Sequence, residues 1–596
     1  MTEVEKAKAL FFEALDLLDA KDFGAAETRL REALRIVPDR VSALTNLSVA
    51  LLSQDKTDEA VATAQRAVDL APDNVEGWLA LGSSLSKQKQ LDPALVAMQR
   101  AVELAPASAI AWKGQATVLI ELKAYDRAVS ALEKAARIDP AEEDVRALLV
   151  SAKMQACDWQ GLMEETNALL QDIRSGATVS NPFMVLAMPA TAADQLTAAA
   201  RYAARDYPLR SPLYRGERYQ HSRVRIAYVS GDFRQHPLAH LMVGVFENHD
   251  RNRFDVTGVS YGPDDRSAIR ERVAASFESF IDVAGRSDDS VAEYLRNAAV
   301  DIAVDLGGFT TGGRPRIFAR RPAGIQVSFL GYPGTSGTPY LDYIVADPVV
   351  IRPEDRHHYS EKVVTLPDSY FPNDRKRRIA EEIPARSAVG LPERAVVFCC
   401  FNNSYKITAG MFDIWMKLLR AVDDSVLWLL QSNPTAVENL KREASARGVA
   451  PERLVFAPYA SIDDHLARHR LADIFLDTRH YNAHTTACDA LWAGLPVVTL
   501  TGETFASRVA TSLLHAVGMP EFATSSVEEY ERLALDLASN PANVSAAKEK
   551  LARNRMSTAL FDTARFTRHL EAAYMAMVDR HRRSQGPDHI SVQRFV

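Results

Sequence analysis

The sequence predicts an all-helical repeat solenoid followed by two doubly wound α/β domains. Three observations predict it: a 34-residue period over the first 140 residues, an abrupt change near Val224 to short apolar runs separated by helical segments, and a second such series from about residue 390. At 596 residues the chain is too long for one core, so several domains are expected.

The period comes first. Pro38, Pro72, Pro106 and Pro140 stand 34 residues apart and close the similar phrases EALRIVP, RAVDLAP, RAVELAP and KAARIDP. Small residues recur in register at Ala26, Ala60, Ala94 and Ala128, and again at Ala33, Ala67, Ala101 and Ala135, while Trp78 and Trp112 share one more position. This is tetratricopeptide spacing. Each unit is two antiparallel helices with small residues where they approach, and its proline ends the second helix because it lacks an N–H and clashes with the preceding turn. Four units fill residues 1–142, and their concave face is expected to bind a polypeptide. A plain spacer is the other reading of the same array.

Residues 143–222 lose the period but keep helical patterning, broken by RSGATVSNP, and read as a connector that caps the solenoid. VRIAYVSGDF then opens the first α/β domain, residues 223–380, as a strand ending in a Gly-Asp loop. HPLAHLMVGVFENH follows as a helix with Pro237 in its first turn. FDVTGVSY, DIAVDLGG, IQVSFLGY and DYIVADP continue as strands buried on both faces of a parallel sheet. The second domain, residues 381–596, runs through AVVFCCFN, SVLWLLQ, RLVFAPY, DIFLDT and PVVTL, with helices such as ITAGMFDIWMKLLRAV and SIDDHLARHRLA between them, and closes with a C-terminal helix and tail.

Composition excludes several classes. With 77 acidic against 70 basic residues the net charge is −7, which carries no bulk signal for nucleic acid. The N-terminal MTEVEKAKALFFEALDLLDA is charged and amphipathic rather than a signal peptide, and no stretch reaches the roughly 20 apolar residues of a membrane span, so a cytoplasmic protein is expected. Cys157, Cys399, Cys400 and Cys488 form no CxxC pair, so they are expected to be buried small hydrophobes rather than disulfides or a zinc site.

Ligands of open parallel sheets bind beyond the carboxyl ends of the strands. In the second domain those positions hold Asn402, Asn403 and Lys406, then Gln431, Tyr459 to His465, Asn482 to Thr486, and Gly502 to Arg508. Most are hydrogen-bond donors, which suits a phosphate-containing ligand. DIFLDTRHYNAHTTACDALWAGLPVVTL parses as strand, loop, helix, strand, with Gly494 ending the helix. The first N–H groups of that helix have no internal partner and its dipole favours negative charge; Thr485 and Thr486 add hydroxyls, so the unit can hold a phosphate without a Walker loop. The same threonines also fit a plain helix cap.

NNSYKI, NAHTTACDALWAGLPVVTL, GETFASR and LGYPGTSG, within a match running from about Cys157 to Pro587-Asp588-His589, resemble the catalytic region of the O-GlcNAc transferases of glycosyltransferase family 41, bacterial members included. Repeats ahead of it complete that family's architecture. The resemblance implies a GT-B fold, two Rossmann-like domains facing across a cleft. It also implies an inverting, metal-independent protein O-glycosyltransferase that moves GlcNAc from UDP-GlcNAc, its co-substrate, to Ser or Thr of an acceptor protein recruited by the repeats, with no cofactor. By position, Lys406 would contact the diphosphate, and His484, Thr485 and Thr486 would form the phosphate-binding helix start. Asp489 would hold the ribose, the backbone at Tyr459 and Ala460 would recognise uracil, and His465 and Arg468 would flank the base. Asn403 stands where animal members have glutamine, among the diphosphate or sugar contacts.

In the first domain the resemblance makes His236 the active-site histidine, orienting or deprotonating the acceptor hydroxyl, and puts Thr310, Leu330 and Gly331 around the sugar. His240 is expected to be a packed helix residue. Gly307 and Phe309 depart from the family pattern, so sugar choice is expected to lie with them. Arg508 is expected either on the diphosphate or paired with Glu503. No Asp-x-Asp occurs, so no metal is expected. Two other readings stand beside this one: a flagellin or surface-protein glycosyltransferase of the same fold using another nucleotide sugar, such as an activated nonulosonic acid, and a non-catalytic repeat scaffold.

Overall fold

The structure, a computed structural model, describes residues 2–595, which divide after Glu165 into two compact units. In the first, helices pair as hairpins: Glu3–Asp19 with Phe23–Ile36, Val41–Leu52 with Thr57–Leu70, Val75–Lys87 with Leu91–Leu104, and Ala109–Glu121 with Tyr125–Ile138. Each second helix stops two residues before its repeat proline, as the missing N–H requires. Ala26, Ala60, Ala94 and Ala128 are wholly buried where helices approach. The indole N–H of Trp78 donates to the Pro72 carbonyl (2.9 Å), and that of Trp112 to Pro106 (3.0 Å), so the shared tryptophans brace the turns between repeats. The tight turn inside each hairpin puts one residue in the left-handed region, Lys21, Asp55, Lys89 or Lys123, again 34 residues apart.

The second unit carries two sheets. β1 (Val224–Ser230), β2 (Phe254–Ser260), β3 (Ser279–Asp282), β4 (Ile302–Asp305), β5 (Ile325–Ser328), β6 (Tyr343–Ala346) and β7 (Lys362–Thr365) form the first lobe. β8 (Val396–Cys400), β9 (Ser425–Leu430), β10 (Leu454–Ala457), β11 (Ile474–Leu476), β12 (Val497–Leu500) and β13 (Ala523–Thr524) form the second, and β14 (Ile590–Ser591) closes the chain. The orders are β14-β7-β6-β5-β4-β1-β2-β3 and β10-β9-β8-β11-β12-β13, with every pairing parallel. Strand order reverses between β1 and β4 in one sheet and between β8 and β11 in the other, the two places where a doubly wound sheet opens a crevice.

The chain's end does not stay with the second lobe. The helix Thr563–Arg582 packs on Pro237–Asn248 of the first lobe, burying Leu570, Tyr574 and Met577, and β14 covers the edge of β7. A buried network fixes the return. Glu571 accepts from the Asp250 N–H (2.8 Å) and meets His249 Nδ1 (3.0 Å), while the Tyr228 hydroxyl lies 2.9 Å from His249 Nε2 and donates to that of Tyr574 at 3.1 Å. The connector divides likewise. Residues from Thr166 onward belong to the second unit, where Phe183 touches Tyr405 and Tyr481, and Tyr202 and Tyr207 pack on Phe309. The four cysteines are buried and form no disulfide among the described residues. Among the described residues no helix is long and apolar enough to cross a membrane.

Candidate functional site

Beyond β8 the chain passes through Asn402 and Asn403 into a single 3-10 turn, Ser404–Lys406. Lys406 is buried there. Its Nζ donates to the Asn482 carbonyl (3.0 Å) and lies 3.8 Å from the centre of the Tyr481 ring. Burial pushes the ammonium down to about 8, against the pull of nearby Asp477. Asp477, directly after β11, is fully buried and joins three loops. Its Oδ1 accepts from the Thr478 N–H (2.7 Å), the Ala483 N–H (2.6 Å) and Asn402 Nδ2 (3.2 Å), and its Oδ2 accepts from the Thr499 hydroxyl (2.6 Å). Sequence reasoning passed over Asp477. The signal was a lone carboxylate closing the apolar run of DIFLDT at the switch point.

The helix Thr485–Ala493 begins beside this knot, and the side chain of its N-cap residue, His484, makes no capping hydrogen bond to its first N–H groups. The three residues expected to form its ligand-binding start divide. Thr485 makes no side-chain hydrogen bond among the described residues and leaves its hydroxyl available. The Thr486 hydroxyl donates to Asn402 Oδ1 at 2.5 Å. His484 Nε2 donates to the Ala506 carbonyl (3.0 Å), its ring lies against Tyr481, and burial, followed by the charge of Lys406, holds it far below the usual histidine range. It is a neutral loop brace rather than a cation for a phosphate. Asp489, one turn on, spends Oδ1 on Arg377 Nη1 at 2.5 Å, a partner the sequence did not suggest.

The other edge of the crevice is held by Arg468. Its Nη1 donates to the Pro458 carbonyl (2.6 Å), its Nη2 meets His465 Nδ1 (2.5 Å), and its guanidinium stacks 4.7 Å from the centre of Phe401. His465 is therefore an acceptor at Nδ1, and burial together with neighbouring His469 and Arg468 pushes it to about 2, so the neutral ring carries its proton on Nε2. Tyr459 and Ala460 stand exposed at the rim, as does Asn403. Among the described residues Arg508 makes no ion pair with Glu503 and no hydrogen bond to the crevice helix. It donates to the carbonyls of Val349 (2.6 Å) and Gly502 (2.8 Å), and with the Ser512 hydroxyl on Asp347 (2.6 Å) it seams the two lobes together.

In the first lobe His236 caps the helix Pro237–Asn248, its Nδ1 accepting from the Leu238 N–H at 3.2 Å with Asp232 Oδ2 3.7 Å away. Burial lowers its pKa, with Asp232 opposing. The neutral ring thus presents Nε2–H outward. Leu330 adopts a left-handed φ of 67°, and a Cβ at Gly331 would lie 2.0 Å from the Leu306 carbonyl, so the pocket wall is folded tightly onto the β4 loop. Thr310 turns its hydroxyl back to the Gly307 carbonyl (2.8 Å). Gly307 and Phe309, where sugar choice is expected to lie, are both tightly packed. A Cβ at 307 would stand 2.3 Å from the Tyr261 hydroxyl, and the buried Phe309 ring packs among Tyr202, Tyr207 and Tyr332. His240 is half-buried beside the lobe junction rather than simply packed, and burial and the charge of Arg377 push it to about 4.

Compared with protein families, residues 209–383 and 378–570 match the model for glycosyl transferase family 41, and residues 13–75 and 79–143 match a tetratricopeptide repeat model. The chain belongs to glycosyltransferase family 41. A probable UDP-N-acetylglucosamine–peptide N-acetylglucosaminyltransferase SEC of Arabidopsis thaliana is 40% identical over 376 residues, covering 62% of this chain and 38% of that protein. A UDP-N-acetylglucosamine–peptide N-acetylglucosaminyltransferase of Caenorhabditis elegans is 27% identical over 562 residues, 73% of this chain and 49% of that one. This chain thus spans less than half the length of these curated relatives. A mutant O-GlcNAc transferase from Thermobaculum terrenum has a solved structure that superposes with a TM-score of 0.68 at 28% identity, covering 91% of this chain and 98% of that one. The two sheets are therefore the lobes of a GT-B fold.

Within this family 41 chain, the chemistry available at the β8/β11 crevice is that of an oxyanion site. It offers a buried ammonium, the N–H groups of a helix start and a free threonine hydroxyl, beside a buried carboxylate, Asp477, that ties the surrounding loops together. Among the described residues no group of His, Cys, Asp or Glu could hold a metal ion.

Proposed function

We propose that this family 41 chain is a cytoplasmic, inverting protein O-glycosyltransferase. It moves GlcNAc from UDP-GlcNAc to a serine or threonine of a polypeptide recruited by the repeats, with no metal or other cofactor. The observation that carries the reading is Lys406, a buried ammonium at the switch point of a parallel sheet beside an uncapped helix start. Such an arrangement fits a diphosphate better than any neutral ligand. The names of the relatives from Arabidopsis and Caenorhabditis support the donor and the acceptor class.

In the transfer, the acceptor oxygen bonds to the anomeric carbon as the bond from that carbon to the β-phosphate oxygen breaks, its electron pair leaving with UDP, and the hydroxyl proton passes to an oxygen of the departing diphosphate or to water. Lys406, the helix N–H groups and Thr485 meet the charge that grows on the diphosphate. The loss of one such preorganised donor costs about 100- to 1,000-fold in rate. His236 supports orientation rather than proton removal, because its Nδ1 is occupied by the Leu238 N–H and its outward Nε2 already carries a proton. Titration calorimetry with UDP and UDP-GlcNAc, and mass spectrometry of a cell extract incubated with the protein and a panel of nucleotide sugars, test the reading. GlcNAc on serine or threonine that vanishes with Lys406→Ala is the expected result; wild-type protein that binds no uridine nucleotide would sink it.

A further inference from the structure

Arg377 lies in the stretch joining β7 to β8, outside every motif that pointed to the donor site. Its side chain is only 3% exposed. Nη1 donates to Asp489 Oδ1 at 2.5 Å, and its backbone carbonyl accepts from the Trp492 indole N–H at 3.3 Å, so both ends of the residue are fixed to the helix Thr485–Ala493. Nε and Nη2 are buried and have no hydrogen-bond partner among the described residues. An unmade bond on a buried polar group costs roughly 1–3 kcal/mol, more when the group is charged, so a guanidinium in this state marks a place where acceptors from elsewhere belong.

The surroundings say which acceptors. Arg377 pairs with the carboxylate that the family resemblance sets against the ribose, and its charge disfavours protonation of His465 and His469 on the base side and of His240 across the lobe junction. Arg468 Nε is likewise buried with no partner among the described residues, so the unpaired guanidinium nitrogens at this end of the crevice are N–H donors, whereas His469, whose Nδ1–H donates to the His465 carbonyl (2.6 Å), keeps Nε2 as an acceptor. A nucleoside brings the complement. Its ribose hydroxyls and pyrimidine carbonyls are neutral acceptors, whereas the diphosphate has Lys406 at the other end.

We propose that Arg377 is a donor-binding residue whose Nε and Nη2 hydrogen-bond the ribose and uracil oxygens of the nucleotide, while Nη1 holds Asp489 in place. The inference rests on the uridine-nucleotide reading above. It is tested in the full-length protein by calorimetry with UDP and UMP on wild type, R377K, R377Q and the pair D489N and R377Q/D489N, with donor KM and kcat measured alongside. R377Q, whose amide can still supply one donor, should weaken UDP and UMP by the same factor, about 10- to 100-fold for the net loss of one bond to a charged group, and raise KM with kcat changed less than about threefold. R377K keeps a charge opposite Asp489 but loses the fork, so it should fold and still bind weakly. Unchanged affinity in R377Q, or a double mutant that binds as well as D489N alone, would overturn the inference, the second outcome reducing Arg377 to a counter-charge. Wild-type protein that binds neither nucleotide would instead remove the uridine reading itself.

Discussion

At the scale of single residues, Lys406 and Asp477 share one fate. Burial brings the Lys406 ammonium to about 8 in the free protein, and only the ammonium attracts a diphosphate. UDP affinity should therefore be full below pH 8 and fall as pH rises through it, approaching tenfold per pH unit, which calorimetry between pH 6.5 and 9.5 would show. Asp477 pulls the other way by favouring the charged lysine. Asp477→Asn should move the fall to lower pH; an unmoved midpoint would mean that the carboxylate does not act on Lys406. The same substitution disturbs acceptors for two backbone N–H groups and the Thr499 hydroxyl, so a stability loss of about 2–4 kcal/mol should accompany it in chemical denaturation.

At the scale of elements, the start of the helix Thr485–Ala493 divides its labour between two adjacent threonines. Thr486 is tied to Asn402, and through Asn402 to Asp477 and Thr478, whereas Thr485 is bonded to nothing described. Thr485→Val should weaken UDP binding several-fold with little change in Tm, and Thr486→Val should lower Tm by an amount set by one buried hydrogen bond, about 1–2 kcal/mol. Paired calorimetry and thermal melts would check both, and equal effects would show that the division is not real. A cap and a cradle thus coexist in one turn, because both draw on N–H groups that a helix cannot satisfy internally.

At the scale of the molecule, the chain's end leaves the second lobe and packs on the first. Glu571 serves both His249 and the Asp250 N–H inside that junction, so Glu571→Ala strands two buried donors. A loss of about 3 kcal/mol is expected, and Glu571→Gln, which keeps one acceptor oxygen, should lose less than half as much. Denaturant unfolding of the full chain measures both. An Ala variant as stable as wild type would mean that the return is held by apolar packing alone.

Periodicity carried most of the architecture into the sequence. A helix pair that repeats every 34 residues must repeat its alanines and prolines, and a strand buried on both faces must be apolar throughout, so the solenoid and ten strands, β1, β2, β4 to β6 and β8 to β12, were legible. β3, β7, β13 and β14 were not, because they lie at or next to the sheet edges and take their identity from the strand beside them. Within the site, Lys406 and Thr485 could be read because position after a strand and at a helix start is local information. The hydrogen bonds of His484 to Ala506, Asp489 to Arg377 and Arg508 to Val349 and the ring contact of Phe309 with Tyr202 could not. Their partners lie 22, 112, 159 and about 107 residues away in the chain. Residue type and spacing thus determined which groups this protein can present to a ligand; the tertiary fold decided which of them are already spent on the protein itself, because a hydrogen bond made inside the fold is no longer available to a substrate.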